Sequence, residues 1–135
     1  VAAEGRIPAG GRMIKHIVMW NVRGDDDETR ARNVQILKTE FESLRGRIPG
    51  LLHLEIGVDF SRVDYACDVV LYTEFASRAA LLGYAEHPEH LRVRRTLGGM
   101  RIARHQVDYE VGDRPALVGS ESAAGSAARH VEPAP

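Results

Sequence analysis

The chain has 135 residues, a length suited to one domain, and its 44% hydrophobic and 27% charged content excludes a wholly disordered or collagen-like polymer. Eighteen Lys and Arg against nineteen Asp and Glu leave a net charge of -1, which speaks against a nucleic-acid partner, because phosphate neutralisation needs clustered cations. The single cysteine, Cys67, excludes an internal disulfide framework and a multi-cysteine zinc site. With no apolar run near the ~18–20 residues of a membrane span and no signal-peptide core, a cytoplasmic protein without a membrane partner is expected.

Residues 1–12 have no hydrophobic period and read as an N-terminal extension. Met13 opens the first strand, MIKHIVMWNV, with Ile14, His16, Val18, Trp20 and Val22 on one face and Met13, Ile17 and Met19 on the other. Asp25 and Glu28 then form a plausible capping pair for a helix, since negative charge suits a helix N-terminus. Val34, Leu37, Phe41, Leu44 and Ile48 recur at spacings of three and four, the apolar stripe of that helix, until Gly46 and Pro49-Gly50 stop it. Leu52, Leu54, Ile56 and Val58 alternate with Leu51, His53, Glu55 and Gly57 as a second, half-buried strand.

A loop carrying Asp59, Ser61 and Asp64 leads to a third strand predicted over Tyr65 to Phe75, apolar on both faces at its middle. Ser77 caps a short helix over Arg78 to Ala85, His87-Pro88 interrupts it, and Pro88 starts a second segment running to about Leu97. Gly98-Gly99 ends that segment, and Met100 to Glu110 is the fourth strand, with Ile102, Ala103, Val107 and Tyr109 as its apolar members. From Gly112 to Pro135 the chain holds six Ala, three Gly, three Ser and three Pro and no aromatic residue, too little large apolar surface to offset chain entropy. It reads as a flexible C-terminal tail. Deleting 113–135 is therefore expected to leave the melting temperature nearly unchanged in a thermal scan; a drop of several degrees would show that the tail docks.

The predicted order over the folded unit, 13–111, is strand, helix, strand, strand, helix, strand. That is the α+β, ferredoxin-like split βαβ arrangement with a four-stranded antiparallel sheet. Helices can cover only one face of such a sheet, yet the first and third strands carry large side chains on both. A second copy packed sheet to sheet is the simplest cover for the other face.

The most distinctive segment is Tyr84-Ala-Glu-His87-Pro88-Glu-His90. A phenol and two imidazoles at spacings of three, beside a helix break, can converge on one ligand as hydrogen-bond donor and general acid or base. The same residues serve structure equally well: His87 as a helix cap, Tyr84 packed on the sheet, His90 bonded to a carbonyl. His87 and His90 lack a third metal ligand at recognisable spacing, so no metal is expected. His16, on the Ile14/Val18/Trp20 face, is either a satisfied core residue or a polar anchor in an apolar pocket. Arg92, Arg94 and Arg95 form a local basic run, best read as a solvated helix face. No phosphate-cradling loop, nucleophile elbow or dinucleotide fingerprint is present.

Five segments in order, Met13-Ile-Lys-His16-Ile-Val, Ile56-Gly57-Val-Asp59, Asp68-Val-Val-Leu-Tyr-Thr-Glu-Phe75, Tyr84-x-x-His87-Pro88-x-His90 and Val107-Asp108-Tyr109, resemble the stress-responsive dimeric A/B barrel family. The resemblance implies a ferredoxin-like protomer that pairs through its sheets into a homodimeric α+β barrel. One branch, which includes the plant olivetolic acid cyclase, closes a linear polyketide by an intramolecular aldol condensation with no metal or organic cofactor. Its working Tyr and His match Tyr84 and His90, and its first-strand histidine matches His16. The expected function is thus binding of a small apolar or aromatic molecule by His16, Val18, Trp20, Tyr84, His87 and His90. The alternatives are a cofactor-free cyclase or lyase using Tyr84 and His90, and a structural protein whose barrel is filled. Trp20 is bulkier than the matching aliphatic residue and is expected to narrow or fill the cavity.

Overall fold

A computed structural model describes residues 12–112 of the chain. The elements run β1 (Met13–Val22), α1 (Asp27–Glu42), β2 (Leu51–Val58), β3 (Val69–Phe75), α2 (Arg78–Glu86), α3 (Pro88–Leu97) and β4 (Arg101–Val111), with one 3-10 turn, Gly98–Met100, before β4. The four strands form one antiparallel sheet in the order β2-β3-β1-β4. That is the ferredoxin-like arrangement. The expected N-terminal extension and C-terminal tail lie, but for Arg12 and Gly112, outside the described residues. Among the described residues no helix is long and apolar enough to cross a membrane.

One sheet face is covered by the helices and carries the core. Ile14, Val18, Trp20 and Val22 of β1 and Val69, Leu71 and Phe75 of β3 pack there against Val34, Leu37 and Phe41 of α1 and Val93 and Leu97 of α3. Among the described residues no helix lies on the opposite face. Met19, Ile102, Val107 and Tyr109 stand partly open on it, and Phe60 and Tyr65 in the loop between β2 and β3 are exposed.

Several element boundaries differ from the sequence reading: α2 closes one residue later, at Glu86, β4 is shifted by one to Arg101–Val111, and three others follow from local hydrogen bonding. Asp26, rather than Asp25, caps α1: its Oδ1 accepts the Thr29 N–H at 2.7 Å, while Glu28 pairs with Arg32 at 3.3 Å. α1 ends at Glu42, but tighter turns follow in which Leu44 N–H reaches the Phe41 carbonyl and Arg47 N–H the Leu44 carbonyl. These turns keep Leu44 and Ile48 buried in phase with the helix stripe. β3 begins at Val69 and not at Tyr65, because Asp59 ties the preceding loop to itself, accepting from Ser61 Oγ at 2.9 Å and Arg62 N–H at 2.8 Å.

β4 carries a bulge. Met19 faces His105 and Asn21 faces Ile102, so Ala103 and Arg104 both lie opposite Trp20. Ala103 takes the extra turn with φ of 54°, a left-handed conformation uncommon for a residue with a Cβ. The bulge has a functional consequence. It puts Arg101 and Arg104, three positions apart, on the same cavity wall, where an unbroken strand would point them to opposite faces.

Candidate functional site

Between the covered sheet face and the α2–α3 corner lies a cavity of about 360 Å³, within the size range of small-molecule sites. Its lining includes His16, Val18 and Trp20 from β1, Tyr84 from α2, His90 from α3, and Arg101, Arg104, Gln106 and Asp108 from β4. The corner itself follows from local chemistry. Ser77 accepts the Ala80 N–H at 3.0 Å to start α2, and Pro88 cannot continue the helical hydrogen-bond ladder, so the chain turns and restarts as α3.

His87 is the hinge of this corner. Its Nδ1 accepts the Glu89 N–H at 3.0 Å, capping α3, and the side chain is not among those lining the cavity. The structure thus places His87 outside the group with which the sequence reading associated it, because the cap consumes its ring nitrogen. Tyr84 and His90, on either side of the break, are brought together: their rings lie 4.2 Å apart, centre to centre. His16 approaches Tyr84 edge-on at 6.0 Å.

Tyr84 is 3% exposed and packs on Phe75, ring centres 5.1 Å apart. Its hydroxyl makes none of the hydrogen bonds found among the described residues, and it is not one of the sealed-off unpaired polar atoms. Burial pushes the phenol's pKa well up, opposed only in part by Arg101 and Arg104. Tyr84 is therefore a neutral donor at any working pH, not a phenolate base. His90 Nδ1 lies 3.2 Å from the Ala85 carbonyl. A carbonyl only accepts, so Nδ1 carries the hydrogen and the lone pair of the neutral ring sits on Nε2. Burial, together with the positive charges of Arg94 and Arg101, lowers the His90 pKa below the ordinary histidine value, outweighing the carbonyl. The ring stays neutral at pH 7, the form a base requires.

His16 is set by β4. Its Nδ1 donates to Asp108 Oδ1 at 2.6 Å, and Gln106 Nε2 donates to the second carboxylate oxygen at 3.1 Å. The carboxylate fixes the imidazole's orientation. Trp20 does not fill the cavity. It lies nearly parallel to Phe41 at 5.5 Å, with the Arg101 guanidinium 4.9 Å from its ring centre, and so forms a wall. Sequence reasoning missed Arg101, Arg104, Gln106 and Asp108. The signal was there in part: 104, 106, 108 and 110 alternate with apolar Val107 and Tyr109, but only the apolar half was read. Arg101 joins through the bulge, which no period reveals.

A second hollow, of about 630 Å³, lies on the uncovered face and is lined by Met19, Val58, Phe60, Tyr65 and Val70, with His105 at its edge. It is larger, yet its Asp59 and Ser61 are engaged with each other and with Arg62 N–H. Among the described residues no three His, Cys, Asp or Glu side chains converge as a metal site.

The family model of the stress responsive A/B barrel domain matches residues 14–111. The chain belongs to that family. Its fold is shared with a dimeric protein of unknown function and ferredoxin-like fold from Bacteroides fragilis, 30% identical over 73% of this chain and 96% of that one, at a TM-score of 0.66. A dimeric ferredoxin-like protein of unknown function from Jannaschia is 26% identical over 73% and 99% of the two chains, with a TM-score of 0.59. The hydroxynitrile lyase of Passiflora edulis is also similar, at a TM-score of 0.63 over 76% and 95%. At 13% identity that last likeness is one of fold alone. No functionally curated protein matches the chain by sequence.

Proposed function

We propose that this A/B barrel domain binds a small, largely apolar carbonyl compound in the Tyr84/His90 cavity and moves a proton next to its carbonyl, as a cofactor-independent cyclase or lyase. The observation that carries the reading is the pair itself: a buried phenol with an uncommitted hydroxyl against a neutral imidazole whose tautomer is set by Ala85. In the proposed step His90 Nε2 takes the proton from the carbon beside a carbonyl. The C–H electron pair moves into the carbonyl, and Tyr84 donates a hydrogen bond to the developing enolate oxygen. For a cyclase the enolate carbon then bonds to a second carbonyl carbon, and the new alkoxide recovers the proton from His90. Cleavage is the reverse. His16, held by Asp108, orients the substrate.

The test uses acetophenone in deuterated buffer, with proton NMR following loss of the methyl signal. Exchange that the wild-type protein accelerates and the His90→Ala variant does not supports proton transfer at this site. Equal rates for both reject it. Binding without turnover, the second reading, would then be the role of the cavity, favoured by its Val18, Trp20, Phe41 and Leu71 walls.

The same reading includes a cytoplasmic homodimer paired through the uncovered sheet face. The half-open Met19, Val107 and Tyr109 and the exposed Phe60 support this, because a monomer would leave them in water. Two such faces meeting should bury at least ~1,200 Å². Sedimentation equilibrium at micromolar concentration is expected to give twice the protomer mass of 14.9 kDa, and Val107→Glu to return one protomer. A wild-type monomer overturns the pairing.

A further inference from the structure

Among the described residues most arginines outside the cavity are paired with a carboxylate, Arg23 and Arg95 excepted. Arg92 engages Glu40 at 2.9 Å, Arg62 engages Asp68 at 2.9 Å, Arg78 engages Glu110 at 2.6 Å and Arg30 engages Asp27 at 2.6 Å. Arg94, Arg101 and Arg104, all on the cavity wall, make no ion pair among the described residues. Among the described residues the Arg104 side chain bonds only to the Gln106 side-chain oxygen. Asp108, the one carboxylate among the lining residues, is held by His16 and Gln106.

Arg101 is the most constrained of the three. Its guanidinium lies 4.9 Å from the Trp20 ring centre and 5.7 Å from that of Phe41, so the plane of the group is fixed by aromatic faces. Its Nε is buried and has no hydrogen-bond partner among the described residues. A buried N–H left unpaired is uncommon, because nothing offsets its loss of water. Like charge from Arg104 and Arg94 surrounds it, and burial adds to the cost of its own charge. An incoming anion would relieve all three conditions at once. The planar fork of N–H groups suits a carboxylate, which accepts two parallel hydrogen bonds from it.

We propose that the cavity takes a small aromatic or apolar carboxylic acid, its carboxylate on Arg101 with Arg94 and Arg104 adding charge, and its apolar body on Trp20 and Leu71. The inference rests on the reading of this cavity as the ligand site and names the class of ligand. The acid's volume must fit the ~360 Å³ available, which corresponds to one or two rings with a short chain.

The experiment uses the full chain and three probes: 4-butylbenzoate, the neutral 4-butylbenzamide and inorganic phosphate. Binding is read by titration calorimetry and by fluorescence of Trp20, the only tryptophan in the sequence. The benzoate is expected to bind tenfold or more tighter than the amide, the scale of a charge-assisted hydrogen bond. Arg101→Gln should bring the two affinities within about twofold of each other, chiefly by weakening the benzoate, while Arg95→Gln, outside the lining, changes neither. On the wild-type protein alone, added salt should weaken the benzoate and spare the amide, a readout that needs no variant to fold. Equal affinities for benzoate and amide overturn the anion site and leave the cavity reading standing. Displacement of the benzoate by equimolar phosphate overturns the organic-acid assignment. No binding of either aromatic probe, with Trp20 fluorescence unmoved, overturns the cavity reading and this inference with it.

Discussion

The His90→Ala variant is expected to lose about 10²–10⁴-fold in the rate of α-proton exchange, the contribution of a positioned general base. The loss should fall on the rate and not on the fold, since His90 is only part-buried and its one described hydrogen bond goes to a single carbonyl, that of Ala85. Tyr84→Phe is expected to lose less, through the missing phenolic donor, because the ring's packing on Phe75 survives the change. A circular-dichroism melt separates these effects from unfolding. If His90→Ala keeps the wild-type rate and melts at the wild-type temperature, the base has been misassigned.

The pH profile follows from the direction of the His90 shift. Around the ring stand Tyr84 from α2, His16 from β1, Arg101 from β4 and Arg94 from its own helix. Tyr84 is neutral, and burial together with the cationic Arg94 and Arg101 opposes protonation of the ring. The active form is the unprotonated ring. Activity should therefore hold flat through neutrality and fall only as pH drops through a pKa below histidine's usual ~6.5. Arg101→Gln removes one of the opposing charges and is expected to move that inflection upward. An inflection above the usual histidine value in the wild-type protein would contradict the arrangement.

Much of the fold was legible because the apolar residues repeat with clean periods. The apolar run from Met13 to Val22 and the alternation from Leu52 to Ile56 mark strands, and the 3-4 spacing from Val34 to Phe41 marks a helix. Boundaries were less legible where competing local chemistry decides. Asp25, Asp26 and Asp27 are equivalent as sequence, and only the backbone's approach selects Asp26 as the cap. Tyr65 and Cys67 look like strand residues by type, yet the Asp59–Arg62 bonds hold that stretch as a loop and leave Tyr65 exposed.

The site divides along the same line. Tyr84, His90 and His16 could be found because they lie in a compact segment or on an obvious apolar face. His87 looked equivalent to His90, but a ring nitrogen two residues before an open backbone N–H is drawn into the cap. Arg101, Arg104 and Asp108 come from the far end of the chain, and their meeting with β1 depends on strand pairing and a bulge. Such long-range register leaves little trace in local spacing.

Phe75→Ala is expected to cost about 3–5 kcal/mol, the range for truncating a fully buried phenylalanine. Phe75 is 0% exposed and ends β3, paired with Ile14 of β1 on one side and Leu51 of β2 on the other. Its ring also backs the site, 5.1 Å from Tyr84 and 6.3 Å from His16. Removing it opens a void that strand pairing on both sides keeps from collapsing, which favours the upper part of the range. For a folded unit near 100 residues each kcal/mol shifts the melting temperature by roughly 4–8 °C, so a drop on the order of 15 °C or more is expected. Phe75→Leu, which refills most of the volume, should recover the greater part of it. Tyr84 would meanwhile lose the ring that holds it against the sheet. The Ala variant should thus bind aromatic probes more weakly even at temperatures where it remains folded. Should the melting temperature fall by less than a few degrees, Phe75 is not the keystone between sheet and site, and the rigidity of Tyr84 must come from its contact with His90.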